Sequence, residues 1–303
     1  MQAYRVILIV NLHKEHANHI SGEIAGELKR RGAEVTIFAF DGNPGPLPDG
    51  RWDIAFSLGG DGTVLYTARM LASTGTPILP VHFGTLGFLA GIESHEWIPV
   101  YESWIAQPGE TVSQTENKAQ ISPRCMLSLS VYREGRDIFT DTCLNDIVIT
   151  SSGIVKLIKL RAQTETASGE YADLGSYRSD GLVIATPTGS TAYSMAAGGP
   201  ILDPEMDAMI LNPICPFTLS NRSIVLPAAE TVMIEVEDEQ RSEVHLTVDG
   251  QIMEPLEPGD KIRISRSPSS ITLIASDRLA FYRALRTKLS WLEAPTSPGG
   301  PNA

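Results

Sequence analysis

Over the first hundred positions, short apolar runs alternate with stretches of helical period. Residues 6–10 form an unbroken apolar run of the kind a strand covered on both faces requires. Between residues 16 and 31, Ile20, Ile24 and Leu28 recur on one helical face, and Gly32 follows as a stop. Residues 34–40, 53–58 and 77–81 read as further strands and 64–72 as a helix. The proline- and glycine-rich stretch 43–50 reads as a loop. This alternation predicts a parallel sheet covered by helices.

From about residue 124 the pattern changes. Short β-rich runs follow one another at 126–132, 144–150, 155–163, 182–186, 231–237, 244–248, 261–265 and 271–275. Only 192–197 and 279–289 carry a helical pattern. An antiparallel sandwich or barrel-like second domain is expected. The division is 1–100 for the α/β part and 101–276 for the β-rich part, with a Pro/Gly-rich tail at 294–303 expected to be disordered.

The length of 303 residues agrees with about two domains, and 42% hydrophobic residues supply their cores. A net charge of −12 argues against nucleic acid or a membrane surface as partner, since both need a basic field. No run approaches a membrane span, and no signal segment is recognisable at the start. Cys125, Cys143 and Cys215 match neither a zinc site nor a disulfide framework, so a reducing cytoplasm is expected.

Three segments have the makings of a chemical site. Gly59-Gly60-Asp61-Gly62-Thr63 lies between a buried-strand run and a helix. Open α/β sheets bind ligands beyond the carboxyl ends of their strands, and N–H groups at a helix start attract phosphate. Asp61 there either orients or deprotonates a hydroxyl or is the solvated acid of a tight turn. Asp180 to Ser194 runs from a buried strand into a loop dense in hydroxyls, then a short helix. It suits phosphate, ribose and a base stacked on Tyr193, or an ordinary cap by Thr188, Ser190 or Thr191. Asn145-Asp146 opens a strand as a plain turn or as an amide and a carboxylate offered to ribose hydroxyls. No P-loop and no Gly-x-Gly-x-x-Gly after a strand is present.

Taken with Gly84-Thr85-Leu86-Gly87-Phe88-Leu89, Ala197-Gly198-Gly199-Pro200, Leu219-Ser220-Asn221-Arg222 and Val248-Asp249-Gly250-Gln251, these segments resemble the NAD kinase family in content and order. The resemblance implies an N-terminal Rossmann-like parallel sheet with helices and a C-terminal β-sandwich, with residues 277–293 packing back onto the N-terminal domain. It implies transfer of a γ-phosphoryl from ATP, another nucleoside triphosphate or polyphosphate to the 2′-hydroxyl of the adenosine ribose of NAD. Asp61 falls on the catalytic carboxylate, flanked by Gly60, Gly62 and Thr63. Asn145 and Asp146 fall on the ribose- and adenine-contacting pair, and Asp180 on a carboxylate near the nicotinamide end. Thr188 and Thr191, Ala192, Tyr193, Ser194, Met195 and Ala196 fall on the NAD-binding turn, and Lys156, Arg178 and Gln251 on flanking contacts. Tyr66 and His82 stand where many members carry Arg and Asn. Mg²⁺ carried mainly by the donor phosphates and a homodimer or homotetramer are further implications.

Two other readings share parts of this pattern. A lipid kinase shares the Gly-Gly-Asp-Gly-Thr loop, and a nucleotide-sensing protein would keep the binding loops without catalysis. The remaining chemistry-bearing residues have plainer readings. His13, His16 and His19 read as a solvated face, Arg278, Arg283, Arg286 and Lys288 as cations near a helix end, and Asp249-Gly250 as a hairpin turn.

Overall fold

The apolar run near the start becomes β1 (Arg5–Asn11), which pairs in parallel with β2 (Glu34–Phe40) and β3 (Ile54–Leu58) in a computed structural model of the chain. The structure describes residues 3–13, 16–41, 45–84, 87–106, 121–153, 157–166, 168–218, 220–275 and 278–289. Val6 to Val10 are fully buried because helices cover both sheet faces. Val6, Leu8 and Val10 meet Ile24 and Leu28 of α1 (Ala17–Arg30) on one side. Ile7 and Ile9 meet Val64, Leu65 and Ala68 of α2 (Asp61–Leu71) on the other. Alternate strand residues point to opposite faces, so a two-sided core demands an unbroken apolar run.

β4 (Ile78–His82) extends the sheet beside β3, followed by the two-residue β5 (Ile92–Glu93) and α3 (Trp97–Ile105). The sequence pattern did not foretell α3, whose residues are mostly β-branched or aromatic and include Pro99. Pro is tolerated in a first helical turn, where its missing N–H has no intrahelical acceptor. Tertiary packing decides the matter: Trp97 and Tyr101, one helical turn apart, set their rings 5.5 and 5.9 Å from that of Phe56.

The second half contributes β6 (Ile121–Arg133), β7 (Arg136–Cys143), β8 (Asp146–Ser152), β9 (Ile158–Glu165), β10 (Tyr171–Ser179) and β11 (Gly181–Ala185). A 3₁₀ turn (Thr188–Thr191) and the four-residue α4 (Tyr193–Ala196) follow. Then come β12 (Ala208–Ile214), β13 (Ile224–Pro227), β14 (Thr231–Val236), β15 (Glu243–Val248), β16 (Ile252–Leu256), β17 (Lys261–Ile274) and α5 (Arg278–Lys288). Six strands form one sheet in the order β13–β12–β11–β8–β15–β16. Its inner face packs on β6, β9, β14 and β17 around Ile147, Ile149, Leu182, Leu246, Leu160 and Ile264.

The two textures are therefore real, but no gap separates them. β17 pairs with β6 along its length and touches β4 in parallel at Leu273–Ile78. One eleven-stranded sheet thus runs β10–β9–β14–β17–β4–β3–β1–β2, with β5, β6 and β7 attached. Strands β7, β10, β12, β13 and β16 were absent from the sequence reading. β7 is exposed at half its positions and shows little apolar signal, whereas β12 is buried throughout but carries Asn212 and Pro213. Among the described residues no helix is long and apolar enough to cross a membrane. The tail 294–303 lies outside the described residues.

Candidate active site

β3 ends at Leu58, two glycines carry the chain past the sheet edge, and Asp61 opens α2. Its carboxylate accepts three backbone N–H bonds: Phe88 at 2.9 Å, Leu89 at 3.1 Å and Ala90 at 3.0 Å. A carboxylate offers about four lone-pair directions, so one remains for an incoming hydroxyl. Asp61 is partly exposed, and the three donors fix its rotamer. Gly87 makes the approach possible, because a Cβ there would lie 1.8 Å from Asp61 Oδ1. Gly87→Ala is expected to swing the carboxylate away and cut turnover by at least about tenfold, since small misplacements of a reacting group cost orders of magnitude. Steady-state kcat at saturating substrate checks this.

The second half-site starts at β8. Thr186 donates its N–H to Asn145 O at 2.8 Å and its hydroxyl to Leu144 O at 2.5 Å. The same hydroxyl accepts the Gly189 N–H at 3.0 Å. The backbone of Tyr193 lies close enough to the Asp146 carboxylate to favour its charged form. The polar pair and the hydroxyl-rich turn are thus one unit. Tyr193 and Ala196 are exposed, Ala192 and Met195 half-buried. Thr191 and Ser194 are buried and serve the turn itself: Thr191 Oγ1 donates to Thr188 O at 3.2 Å, and Asn212 Nδ2 donates to Ser194 O at 3.0 Å. Thr188 Oγ1 is buried with no hydrogen-bond partner among the described residues. Thr188, Ser190 and Thr191 do not serve as caps: the N-cap positions of the turn and of α4 are Pro187 and Ala192, and the hydroxyl that takes an N–H of the turn is that of Thr186.

Asp146 and Asp249 form a buried acid pair. Burial, reinforced by the charge of Asp249, pushes Asp146 up to about 7. Burial pushes Asp249 up to about 6, against three backbone N–H donors and the nearby Arg69 that favour its charge. Both folded values exceed the ordinary 3.8, so the folded chain holds protons that the unfolded chain has released. The resulting stability is complete below the unfolded value and is lost as pH rises through 6 and 7. The ligand-free protein should melt at a lower temperature at about pH 8 than at about pH 5, and Asp146→Asn should flatten that dependence. Calorimetry across this range is the check, and a slope unchanged by the substitution would contradict the burial argument.

The hairpin between β15 and β16 joins the two half-sites. Gln251 Nε2 donates to Gly62 O at 2.8 Å, and Arg69 Nη1 donates to Gln251 Oε1 at 3.2 Å. Arg69, whose side chain is 7% exposed, also donates through Nη2 to Asp141 Oδ2 at 3.0 Å. Beside Gly62 lies a cavity of about 660 Å³ at the carboxyl ends of β1 and β2, lined by Asn11, Phe40, Tyr66, Arg69, Met70 and Gln251 among others. Tyr66 is mostly core: it stacks on Phe38 and donates its hydroxyl to Gly45 O at 3.0 Å. His82 is buried at the end of β4 and accepts the Gly84 N–H at 3.5 Å through Nδ1.

Not every expected residue joins this cluster. Gly181 pairs with Thr150 whereas Ala185 pairs with Asp146, so Asp180 lies five residues up the strand from the Asp146 end. At about 3.4 Å per residue that is roughly 17 Å. Arg178 stays with Asp180 and sets its guanidinium 5.5 Å over the ring of the exposed Phe217. Lys156 lies outside the described residues. Conversely, Asp249, Arg69 and Asp141 were not foreseen as site residues. Asp249 reads in the sequence as a turn and as part of the Val248–Gln251 motif, with no role of its own, and nothing local announces that Arg69 reaches a residue 72 positions away.

The other charged features are accounted for by surface pairing. His13 meets Asp41 at 3.1 Å and His19 meets Glu23 at 3.4 Å, and no metal-binding group of three or more His, Cys, Asp or Glu occurs among the described residues. Arg278 and the Tyr282 hydroxyl bond Asp203, and Lys288 places its ammonium 4.7 Å over the Phe88 ring, setting α5 against the loop that holds Asp61.

Comparison with known proteins agrees with this layout. Residues 144–276 match the family model described as the ATP-NAD kinase C-terminal domain, and residues 46–107 match the ATP-NAD kinase N-terminal domain. An NAD kinase of Treponema denticola is 38% identical over 288 residues, covering 95% of this chain and 96% of that protein. One of Geobacter sulfurreducens is 35% identical, covering 95% and 99%. In fold, the chain is similar to yeast NADH kinase complexed with NADH, with a TM-score of 0.83 at 23% identity over 99% of this chain and 91% of that one. It is also similar to an NAD kinase from Archaeoglobus fulgidus in complex with ATP, with a TM-score of 0.70 at 22% identity over 94% and 98%. With matches of this extent along both halves, the chain belongs to the NAD kinase family.

Proposed function

We infer that this protein transfers the γ-phosphoryl of ATP to the 2′-hydroxyl of the adenosine ribose of NAD, giving NADP. Family membership supplies the reaction. The observation that carries the residue-level reading is the open acceptor direction of Asp61, on a loop that Gln251 ties to the Asn145–Asp146 unit. Asn145, Asp146 and the turn through Tyr193 hold the adenosine half of NAD, with Tyr193 against the base. Asp61 accepts the hydroxyl proton as the new P–O bond forms, while the bond to the departing diphosphate breaks. Phosphoryl transfer asks the protein mainly for positioning and for stabilising charge. Gly60, Gly62 and Thr63 lie at the start of α2, where backbone N–H groups and the helix dipole favour phosphate oxygens.

The cavity beside Gly62 suits the donor nucleoside: Phe40, Tyr66 and Met70 offer apolar and aromatic surface for a base at the carboxyl edge of the sheet. A magnesium ion carried by the triphosphate would neutralise part of its phosphate charge and, as a hard ion, would need few protein ligands. Arg178 and Asp180 lie too far up β11 to touch the adenosine half and are left for the distal end of the dinucleotide. A cytoplasmic homo-oligomer that binds neither nucleic acid nor membrane completes the reading, in keeping with the −12 net charge.

The test is purified protein with NAD, ATP and Mg²⁺, coupled to an NADP-specific dehydrogenase, with polyphosphate replacing ATP in a parallel run. NADP formation with either donor supports the reading. Phosphorylation of a diacylglycerol instead, or NAD binding without turnover, would replace it with one of the two other readings.

A further inference from the structure

Three successive backbone N–H groups converge on one carboxylate. Leu144 N–H donates to Asp249 Oδ2 at 3.0 Å, and Asn145 and Asp146 N–H donate to Oδ1 at 2.7 and 3.1 Å. In return Asp249 N–H donates to Asp146 O at 2.9 Å. Consecutive N–H groups curved toward one point form an anion-binding concavity. In this chain its anion is internal. Asp249 is buried, its carboxylate is taken up by these three donors, and it sits at φ 51°, in the left-handed region. Asp-Gly is a favoured pair for a hairpin turn whose two central residues have positive φ, so the turn accounts for the residue types, and the three N–H bonds to the carboxylate are what the turn does not require. Two positions on, Gln251 holds the carbonyl of Gly62 and is held by Arg69.

We propose that Asp249 is a positioning residue for acceptor binding: its carboxylate holds the Leu144–Asp146 backbone in the bend that presents the Asn145 and Asp146 side chains, while Gln251 of the same hairpin registers that bend against the Gly62 loop. The proposal rests on the NAD kinase reading. Without the carboxylate, three N–H groups at the base of the half-site lose their acceptor and the bend relaxes. Hydrogen bonds to a charged acceptor are strong enough that NAD affinity should suffer by about ten- to hundredfold. The donor cavity takes Gln251 and Ile252 from this hairpin, but its base-facing residues Phe40, Tyr66 and Met70 come from β2 and α2, which the Asp249 carboxylate does not touch, so ATP affinity should change far less.

The test uses wild type, Asp249→Asn and Asp249→Gly. Both replacements tolerate a positive φ, and Gly keeps the hairpin backbone even if the Asn amide proves unwelcome to the N–H donors. Wild-type activity in the coupled assay is measured first, so a failure of the kinase reading shows itself separately. The expected result is a KM for NAD raised about ten- to hundredfold in both variants, with KM for ATP within about twofold of wild type. An unchanged KM for NAD in an active enzyme overturns the proposal. So does a parallel rise of both KM values together with a fallen melting temperature, which would make Asp249 a fold-stabilising cap only.

Discussion

Asp61→Asn should lower kcat by about 10²- to 10⁴-fold, the usual worth of a positioned general base. An amide cannot take the ribose proton at neutral pH. The surroundings of Asp61 add a second consequence. Leu89 and Ala90 N–H both use Oδ1, which an asparagine can still supply, but the amide nitrogen would then face the Phe88 N–H that now meets Oδ2. One donor–donor contact loosens one end of the loop and leaves the other bonded. NAD affinity should therefore stay within about threefold of wild type, because an interaction lost only in the transition state lowers kcat and kcat/KM together. Steady-state kinetics with a direct NAD-binding titration separate the two quantities. Equal loss of binding and turnover would remove Asp61 from the base role and leave it as a loop anchor.

Gly189→Ala should nearly abolish NAD binding. A Cβ at Gly189 would lie 2.0 Å from Asn145 O and 2.5 Å from its carbonyl carbon. Both are backbone atoms, so no side-chain rotation relieves the clash. The turn Thr188–Thr191 would have to lift away from Asn145, breaking the Gly189 N–H bond to Thr186 Oγ1 and the Thr186 N–H bond to Asn145 O. Overpacking of this kind costs about 1–3 kcal/mol, or several degrees in melting temperature for a chain of this size. The larger effect is functional, since the turn and the Asn145–Asp146 pair are the two walls being forced apart. KM for NAD should rise by more than about tenfold, with thermal melting as the control for folding. Wild-type kinetics in this variant would show that the two segments do not need to touch.

The two loops differ in how much of their chemistry was legible. Gly59–Thr63 announced itself because a buried strand, a glycine pair and a helix start are all local signals. That Asp61 would be gripped by Phe88, Leu89 and Ala90 was not legible, because those donors come from a loop some thirty residues on. The hydroxyl-rich run to Ser194 was readable as a binding turn. Its hydroxyls looked interchangeable, yet Thr191 and Ser194 face inward to brace the turn while Tyr193 faces outward. Arg178 and Asp180 stand close to that run in sequence and far from Asn145 in space, because an extended strand carries five residues about 17 Å.

By itself the sequence determined the strand–helix alternation of the first half, the β-rich second half, the identity of the glycine turn and the membership of a kinase family. These follow from periodicity, turn chemistry and motif order, which act over a few residues at a time. Tertiary structure alone decided that β17 fuses the two halves into one sheet. It alone made α3 a helix, by giving Trp97 and Tyr101 a ring to pack on, and it alone turned the acid of a hairpin motif into the anion beneath Asn145 and Asp146. Strand pairing, burial and the convergence of backbone N–H groups depend on residues that meet only when the chain is folded, and no local pattern encodes which distant partner will arrive.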